Sequence, residues 1–255
     1  MRQLTPIPVL AGLLLCGAMC AQQAGQPEIH NATKTQPKAA RTSRFLDPSA
    51  LDLNLFIEAP PTQDSSVTHS ELRELHAIEQ SRTSTQIAAA QADDAEQDIF
   101  IYRTLFGTSF TPQNLPILAA LSADVHNEEG VASGPLKTIY SRPRPYQADK
   151  TLHPVCKLTE VPNSYPSGHT LSGYLEGFTL AELLPAHKDE ILARTDDYAH
   201  NRLVCGVHYA SDLVASRQLA AIVFGSMMSN PAFRQRLDAA REELHAKLPS
   251  VIAER

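Results

Sequence analysis

Residues 167–185 read SGHTLSGYLEGFTLAELLP, with Leu171, Tyr174, Leu175 and Phe178 returning at steps of three and four. That interval places side chains on one stripe of an α-helix, Ser167 supplies its start and Pro185 its stop. Towards the C-terminus a second helix is expected from about Ser211 to Met228. A third has Asn230 as N-cap, Pro231 at the first helical position, and Phe233, Leu237, Ala240, Leu244 and Leu248 on one face before Pro249. Towards the N-terminus, Thr68 and Glu71 form a capping-box pattern ahead of Leu72, Leu75 and Ile78, and a further helix is expected from about Ser84 to Phe106, stopped by Gly107. Pro112 and Pro116 punctuate the next stretch, and Leu115 to Ala123 reads as the beginning of another helix. Alternation of period two is absent, so the fold class is all-α, without internal repeats.

The 255 residues are 43% hydrophobic and 20% charged, enough apolar material for a core and too little charge for a disordered chain. Lys and Arg number 22 against 28 Asp and Glu, a net charge of −6, which speaks against a general nucleic-acid binder. Residues 9–21 read VLAGLLLCGAMCA behind the single early charge Arg2, an apolar run too short to span a bilayer. Residues 1–20 are therefore expected to be a signal peptide, cut near Cys20 or Ala21, and the mature protein to be periplasmic or secreted without stable membrane insertion. Residues 21–65, rich in Gln, Thr, Pro and Ala, read as an extended lead-in to a helical domain over 66–255. Signal removal leaves Cys156 and Cys205, which in an oxidising compartment form one disulfide and otherwise stand as two buried thiols.

Three segments carry chemistry. KTIYSRPR sets Lys137, Arg142 and Arg144 within eight residues and no acid among them, and Pro143 and Pro145 bracket Arg144, restricting it in a way that suits planar phosphate binding. Tyr165-Pro166-Ser167-Gly168-His169-Thr170 opens the helix quoted above, and a hydroxyl, a glycine and unpaired N–H groups at a helix N-terminus make an anion site. In NRLVCGVHYASD, residues 201–212, His208 and Asp212 stand four apart, so on a helix the carboxylate would bond one imidazole nitrogen and leave the other as nucleophile or base. Cations, an anion nest and two histidines together fit phosphoryl transfer, in which fixed donors must meet charge spread over phosphoryl oxygens.

These residues resemble the phosphatidic acid phosphatase type 2 superfamily, and most closely its soluble bacterial branch, the class A non-specific acid phosphatases. The family pattern Lys-x6-Arg-Pro, Pro-Ser-Gly-His and Ser-Arg-x5-His-x3-Asp is met by Lys137 to Arg144-Pro145, by Pro166-Ser167-Gly168-His169, and by Asn201-Arg202 through His208 to Asp212. The one departure is Asn201 in place of Ser. The resemblance implies a single compact helical bundle with the active site between helices, and a metal-independent acid phosphatase of broad specificity acting on small phosphate monoesters. It implies that His208 forms a phosphohistidine, that Asp212 orients it, and that His169 protonates the leaving group. Lys137, Arg144, Ser167, Gly168 and Arg202 are implied to hold the phosphoryl oxygens, with no metal or other cofactor, and relatives of this kind assemble as homodimers or higher oligomers.

The alternative within the same superfamily is a vanadium-dependent haloperoxidase, since vanadate on the equivalent histidine mimics the phosphoryl transition state. A metal-binding module using His169, His208 and Asp212 is opposed by the neighbouring cations, which repel a divalent ion. Because one histidine must be neutral and the other protonated, activity is expected to follow a bell peaking below pH 7.

Overall fold

The computed structural model describes residues 41–249 other than 48 and 50; the expected signal peptide and residues 21–40 of the lead-in lie outside them. Among the described residues there is no strand, and the all-α reading holds. In chain order the helices are α1 (Ser66–Ser81), α2 (Ser84–Ala95), α3 (Arg103–Phe106), α4 (Pro116–Tyr140), α5 (Pro145–Ala148), α6 (Gly168–Leu183), α7 (Lys188–Val204), α8 (Ala210–Ser229) and α9 (Pro231–Lys247). No helix among the described residues is long and apolar enough to cross a membrane.

Helix α6 is the axis of the bundle. It packs against α4, α7 and α8, with α9 also touching it. The single apolar stripe read from its sequence is therefore too narrow: Thr170, Ser172, Glu176 and Thr179 are buried along with Leu171, Leu175 and Leu180. Close approach explains two of its glycines. A Cβ on Gly173 would stand 2.6 Å from the Tyr198 ring of α7, and one on Gly177 would stand 2.4 Å from Thr195 Oγ1. Glu176 is fully buried, with Oε1 accepting from Ser122 Oγ (2.9 Å) and Oε2 without a hydrogen-bond partner. Burial pushes its carboxyl well above the usual range, which favours the neutral form.

The structure corrects several local expectations. Helix α1 begins earlier than the capping-box pattern implies, because Ser65 rather than Thr68 is its N-cap and accepts from Thr68 N. Glu71 is buried against Arg142 instead of closing a capping box. The helix expected over 84–106 breaks after Ala95, since side chains of α6 and α7 claim the carbonyls at its end: His169 Nε2 lies 3.2 Å from Asp94 O, Tyr198 OH donates to Glu96 O (2.6 Å) and Ser172 Oγ to Gln97 O (3.2 Å). Asp98 then caps a fresh 3-10 turn, Ile99–Tyr102, which leads into α3 and to Gly107 at φ 80°. Helix α4 runs far past the segment expected at Leu115 to Ala123 and carries Lys137 in its last turn. Helix α7 has no counterpart among the expected helices, and Cys205 closes it, so His208 lies in a loop and only Asp212 is helical.

Residues 41–47 run along α4. Glu128, fully buried, accepts from Ser43 Oγ (2.8 Å), Arg44 N (2.6 Å) and Phe45 N (3.2 Å), the donors a buried carboxylate requires. Phe45 packs its ring on Phe233 of α9, centroids 5.1 Å apart.

Candidate active site

The three chemical segments meet at one end of the bundle, where α4 and α7 finish and α6 and α8 start. Ser141, in the left-handed region at φ 42°, closes α4 and turns the chain so that Arg144 becomes the N-cap of α5, with Pro145 at the first helical position. Lys137 reaches out of the last turn of α4 to donate to Asn163 O (3.0 Å) and to Pro166 O. Arg144 donates through Nε to Asn163 Oδ1 (2.9 Å) and through Nη1 to Val207 O (3.0 Å), and Nη1 lies 3.2 Å from His208 Nε2. Arg202, in the last turn of α7, pairs with Asp94 Oδ1 at 2.7 Å. Its Nε is buried without a hydrogen-bond partner, a donor suited to an anion.

Ser167 caps α6, accepting from Thr170 N at 3.4 Å, which leaves its own proton for another acceptor. The N–H groups of Gly168 and His169 stand in the first turn, where a helix offers no internal acceptor and favours an anion. The space beside Gly168 is tight: a Cβ there would be 2.8 Å from Glu129 Oε1 and 3.8 Å from Lys137 Cε. A side chain at this position would have to displace the Glu129 carboxylate, which accepts from Ser133 Oγ at 2.6 Å.

His208 and Asp212 make their bond across a loop-to-helix junction. Asp212 Oδ2 lies 3.1 Å from His208 Nδ1 and also accepts from Ser164 Oγ (2.6 Å) and Tyr209 N (2.9 Å). Its other oxygen accepts from Arg142 Nη1 at 2.6 Å. Burial opposes ionisation of Asp212, but the His208 hydrogen bond, with Arg142 and Ser164, brings the carboxyl down to about 2. A carboxylate only accepts, so Nδ1 carries the proton and Nε2 presents its lone pair beside Arg144. Burial, reinforced by Arg144 against the pull of Asp212, holds His208 well below the usual imidazole value.

His169 stacks on Tyr198 with centroids 6.4 Å apart, and its Nε2 faces a carbonyl, which fixes the proton there and leaves Nδ1 as the titrating nitrogen. Burial first, then Arg202, hold it well below the usual value. Burial and Arg144 lower Lys137 to about 8, and burial lowers Arg144 to about 10, with Tyr146 acting against and Arg202 in the same sense. Arg144 and Arg202 thus bear on Lys137, His169 and His208 alike. The structure gathers all eight predicted catalytic and phosphate-holding residues.

Arg142, the remaining cation of the first segment, serves elsewhere. It is buried between Asp212 and Glu71 Oε2 (3.1 Å), and its guanidinium lies 3.9 Å over the Tyr209 ring. Glu71 also accepts from Ser211 N at 2.6 Å. The Asn201 side chain donates to Asp93 Oδ2 (2.7 Å), which Arg194 also grips, so the departure from the family's Ser sits in a structural pair. Cys156 and Cys205 are bonded, sulfurs 1.99 Å apart, with Arg202 Nη1 at 3.7 Å from Cys205 Sγ. Sequence reading passes over Glu71, Asp94, Asn163 and Ser164. For the last two the available signal is their place just upstream of the Pro-Ser-Gly-His motif, separated from it by Tyr165.

Comparison with known proteins gives a consistent family. The PAP2 superfamily profile matches residues 117–236, which hold every one of the eight residues. The non-specific acid phosphatase of Salmonella typhimurium is 32% identical over 165 residues, 63% of this chain and 66% of that protein. The acid phosphatase of Zymomonas mobilis is 30% identical over 201 residues, 74% of each chain. A non-specific acid phosphatase of Providencia stuartii is 31% identical over 182 residues, 69% of this chain and 70% of the relative.

Proposed function

The chain belongs to the PAP2 superfamily, among its non-specific acid phosphatases, which are phosphoric monoester hydrolases, and from that premise we propose that it hydrolyses small phosphate monoesters through a phosphohistidine on His208. The observation that carries the mechanism is the orientation of His208: Nδ1–H is committed to Asp212, and Nε2 lies on the side of Arg144, 3.2 Å from its Nη1.

In the first step Nε2 attacks phosphorus, the P–N bond forms and the bond from phosphorus to the ester oxygen breaks. Asp212 stabilises the charge that develops on the imidazole and keeps it in the attacking tautomer. His169, protonated at Nδ1, gives that proton to the departing alkoxide. Lys137, Arg144 and Arg202, the Ser167 hydroxyl and the Gly168 N–H receive the phosphoryl oxygens and meet the charge of the transition state. In the second step His169 takes a proton from water, water attacks phosphorus, the P–N bond breaks and phosphate leaves.

Lys137, Arg144 and Arg202 would supply the charge stabilisation that a divalent ion can give a phosphoryl group, and metal-independent turnover is part of the proposal. We place the mature enzyme in the periplasm or outside the cell, a reading supported by the short apolar run at residues 9–21 and by the Cys156–Cys205 disulfide. The test is hydrolysis of an aryl phosphate between pH 4 and 9 with chelator present, for the mature protein and for His208→Ala. Wild-type turnover with an acidic bell and loss of nearly all activity in the variant are expected. Turnover that chelator abolishes, or a variant as active as the wild type, contradicts the reading.

A further inference from the structure

We propose that Asn163 and Ser164 are positioning residues that register the two halves of the site, Asn163 holding the phosphate cations Lys137 and Arg144, and Ser164 holding the Asp212–His208 pair. The proposal rests on the phosphohistidine mechanism. These neighbours lie outside the three motifs, in the loop that reaches α6, and their side chains point to different partners.

Asn163 is half-buried. Its Oδ1 accepts from Arg144 Nε at 2.9 Å and its carbonyl accepts from Lys137 Nζ at 3.0 Å. A guanidinium is a planar fork of five N–H groups. With Nε on Asn163 and Nη1 on Val207 O, the plane of Arg144 is fixed from two corners, and the remaining N–H groups of the fork have a set direction. Without the Asn163 acceptor the fork turns about its Nη1 bond, and Arg144 loses its aim at the phosphoryl oxygens. The pivot of that turn, Nη1, is the group that stands 3.2 Å from His208 Nε2, so the positive charge beside His208 stays in place.

Ser164 is fully buried, and its hydroxyl donates to Asp212 Oδ2 at 2.6 Å, the oxygen that also takes His208 Nδ1. Its backbone N–H donates to Arg142 O at 3.0 Å, tying the loop to the stretch of chain that carries both arginines. The hydroxyl shares the negative charge of Asp212. Its removal concentrates that charge on the imidazole, favours the imidazolium, and raises the pH at which His208 becomes a nucleophile. The other charged and titratable groups around His208 are Asp212 on α8, Arg142 and Arg144 between α4 and α5, Lys137 on α4, Arg202 on α7 and His169 on α6, with Glu71 of α1 behind Arg142. Neither substitution removes any of these groups: Asn163→Ala takes one acceptor from Arg144, and Ser164→Ala takes one donor from Asp212.

The two residues therefore predict opposite kinetic signatures. Hydrolysis of p-nitrophenyl phosphate from pH 4 to 8, inhibition by inorganic phosphate, and melting with and without phosphate would be measured for the wild type, His208→Ala, Asn163→Ala and Ser164→Ala. Asn163→Ala should raise KM and the phosphate inhibition constant by about tenfold and shrink the phosphate-induced gain in melting temperature, with the acid limb of kcat/KM unmoved. Ser164→Ala should lower kcat by about tenfold and move the acid limb to higher pH, with phosphate binding near that of the wild type. If Ser164→Ala has no melting transition, Ser164→Cys, which fills the same space with a weaker donor, carries the comparison. Equal losses of kcat and phosphate binding in both variants with an unmoved acid limb, or no loss in either, overturn the proposal. Retained turnover in His208→Ala instead overturns the nucleophile assignment, which separates the two failures.

Discussion

Arg142 Nη1 lies 2.6 Å from Asp212 Oδ1, on the oxygen opposite the one that faces His208. Arg142, which in sequence stands simply as one cation of the basic segment KTIYSRPR, is thus a buried counter-ion of Asp212, held in turn by Glu71. Truncating it leaves two buried carboxylates without their shared guanidinium. Arg142→Ala should cost about 3–5 kcal/mol of stability. Glu71→Gln combined with Arg142→Ala should cost less than the sum of the single changes, as denaturant titration of the four proteins would show.

In the proposed mechanism the pH profile is set by His208 and His169, both lowered by burial. His208 must be neutral, so activity rises as pH climbs through its lowered value; His169 must be protonated, so activity falls through its own lowered value. The maximum of kcat/KM for the free enzyme should therefore lie on the acid side of about 6.5. A bound phosphate dianion offsets the nearby cations and raises both, so the kcat profile should sit at higher pH than that of kcat/KM. Initial rates at low and saturating substrate, from pH 3.5 to 8, check both statements.

Much of this site is legible in the sequence alone, because its residues lie in short runs whose spacing is set locally: the cap and amides at Ser167-Gly168-His169, and the four-residue step from His208 to Asp212. The partners that complete it are not. Glu71 and Arg142 are 71 residues apart, and Ser164 and Asp212 are 48 apart. Such contacts leave no local pattern. Glu71 even imitates a different one, the third position of a capping box.

The helices divide along the same line. Helices α6 and α9 announce their starts with caps and apolar steps. Helix α7, KDEILARTDDYAHNRLV, buries Thr195 and Arg202 beside Ile191, Tyr198 and Leu203, so a search for apolar periodicity passes over it. The break between α2 and α3 is set by side chains of α6 and α7 taking backbone carbonyls, which no stretch of 84–106 records.

Glu176 gives a stability prediction with a definite sign. Its folded carboxyl titrates well above the unfolded one, so its favourable contribution is complete below the unfolded value and is lost as pH rises towards the folded one. Glu176→Gln should leave the melting temperature near pH 4 almost unchanged and raise it at pH 7. Thermal melts of both proteins across that range measure the difference.

The disulfide joins the end of α7, where Arg202 sits, to the loop at Cys156, closing 49 residues of chain. Cys156→Ala with Cys205→Ala should cost about 4 kcal/mol in the chain-entropy account. Catalysis should fall as well, through looser placement of Arg202. Denaturant titration with parallel assays, using oxidised wild type as reference, checks both effects.

The most direct test of the mechanism is to trap the covalent intermediate. The mature protein would be mixed with excess aryl phosphate, quenched in alkali within milliseconds, where a phosphohistidine survives, and mapped by peptide mass. Phosphate on the peptide containing His208, stable in alkali and released by acid, is the predicted result, and it should be absent from His208→Ala and persist longer in His169→Ala. Rapid turnover with no phosphorylated peptide at any quench time, or phosphate mapped to another residue, would contradict it.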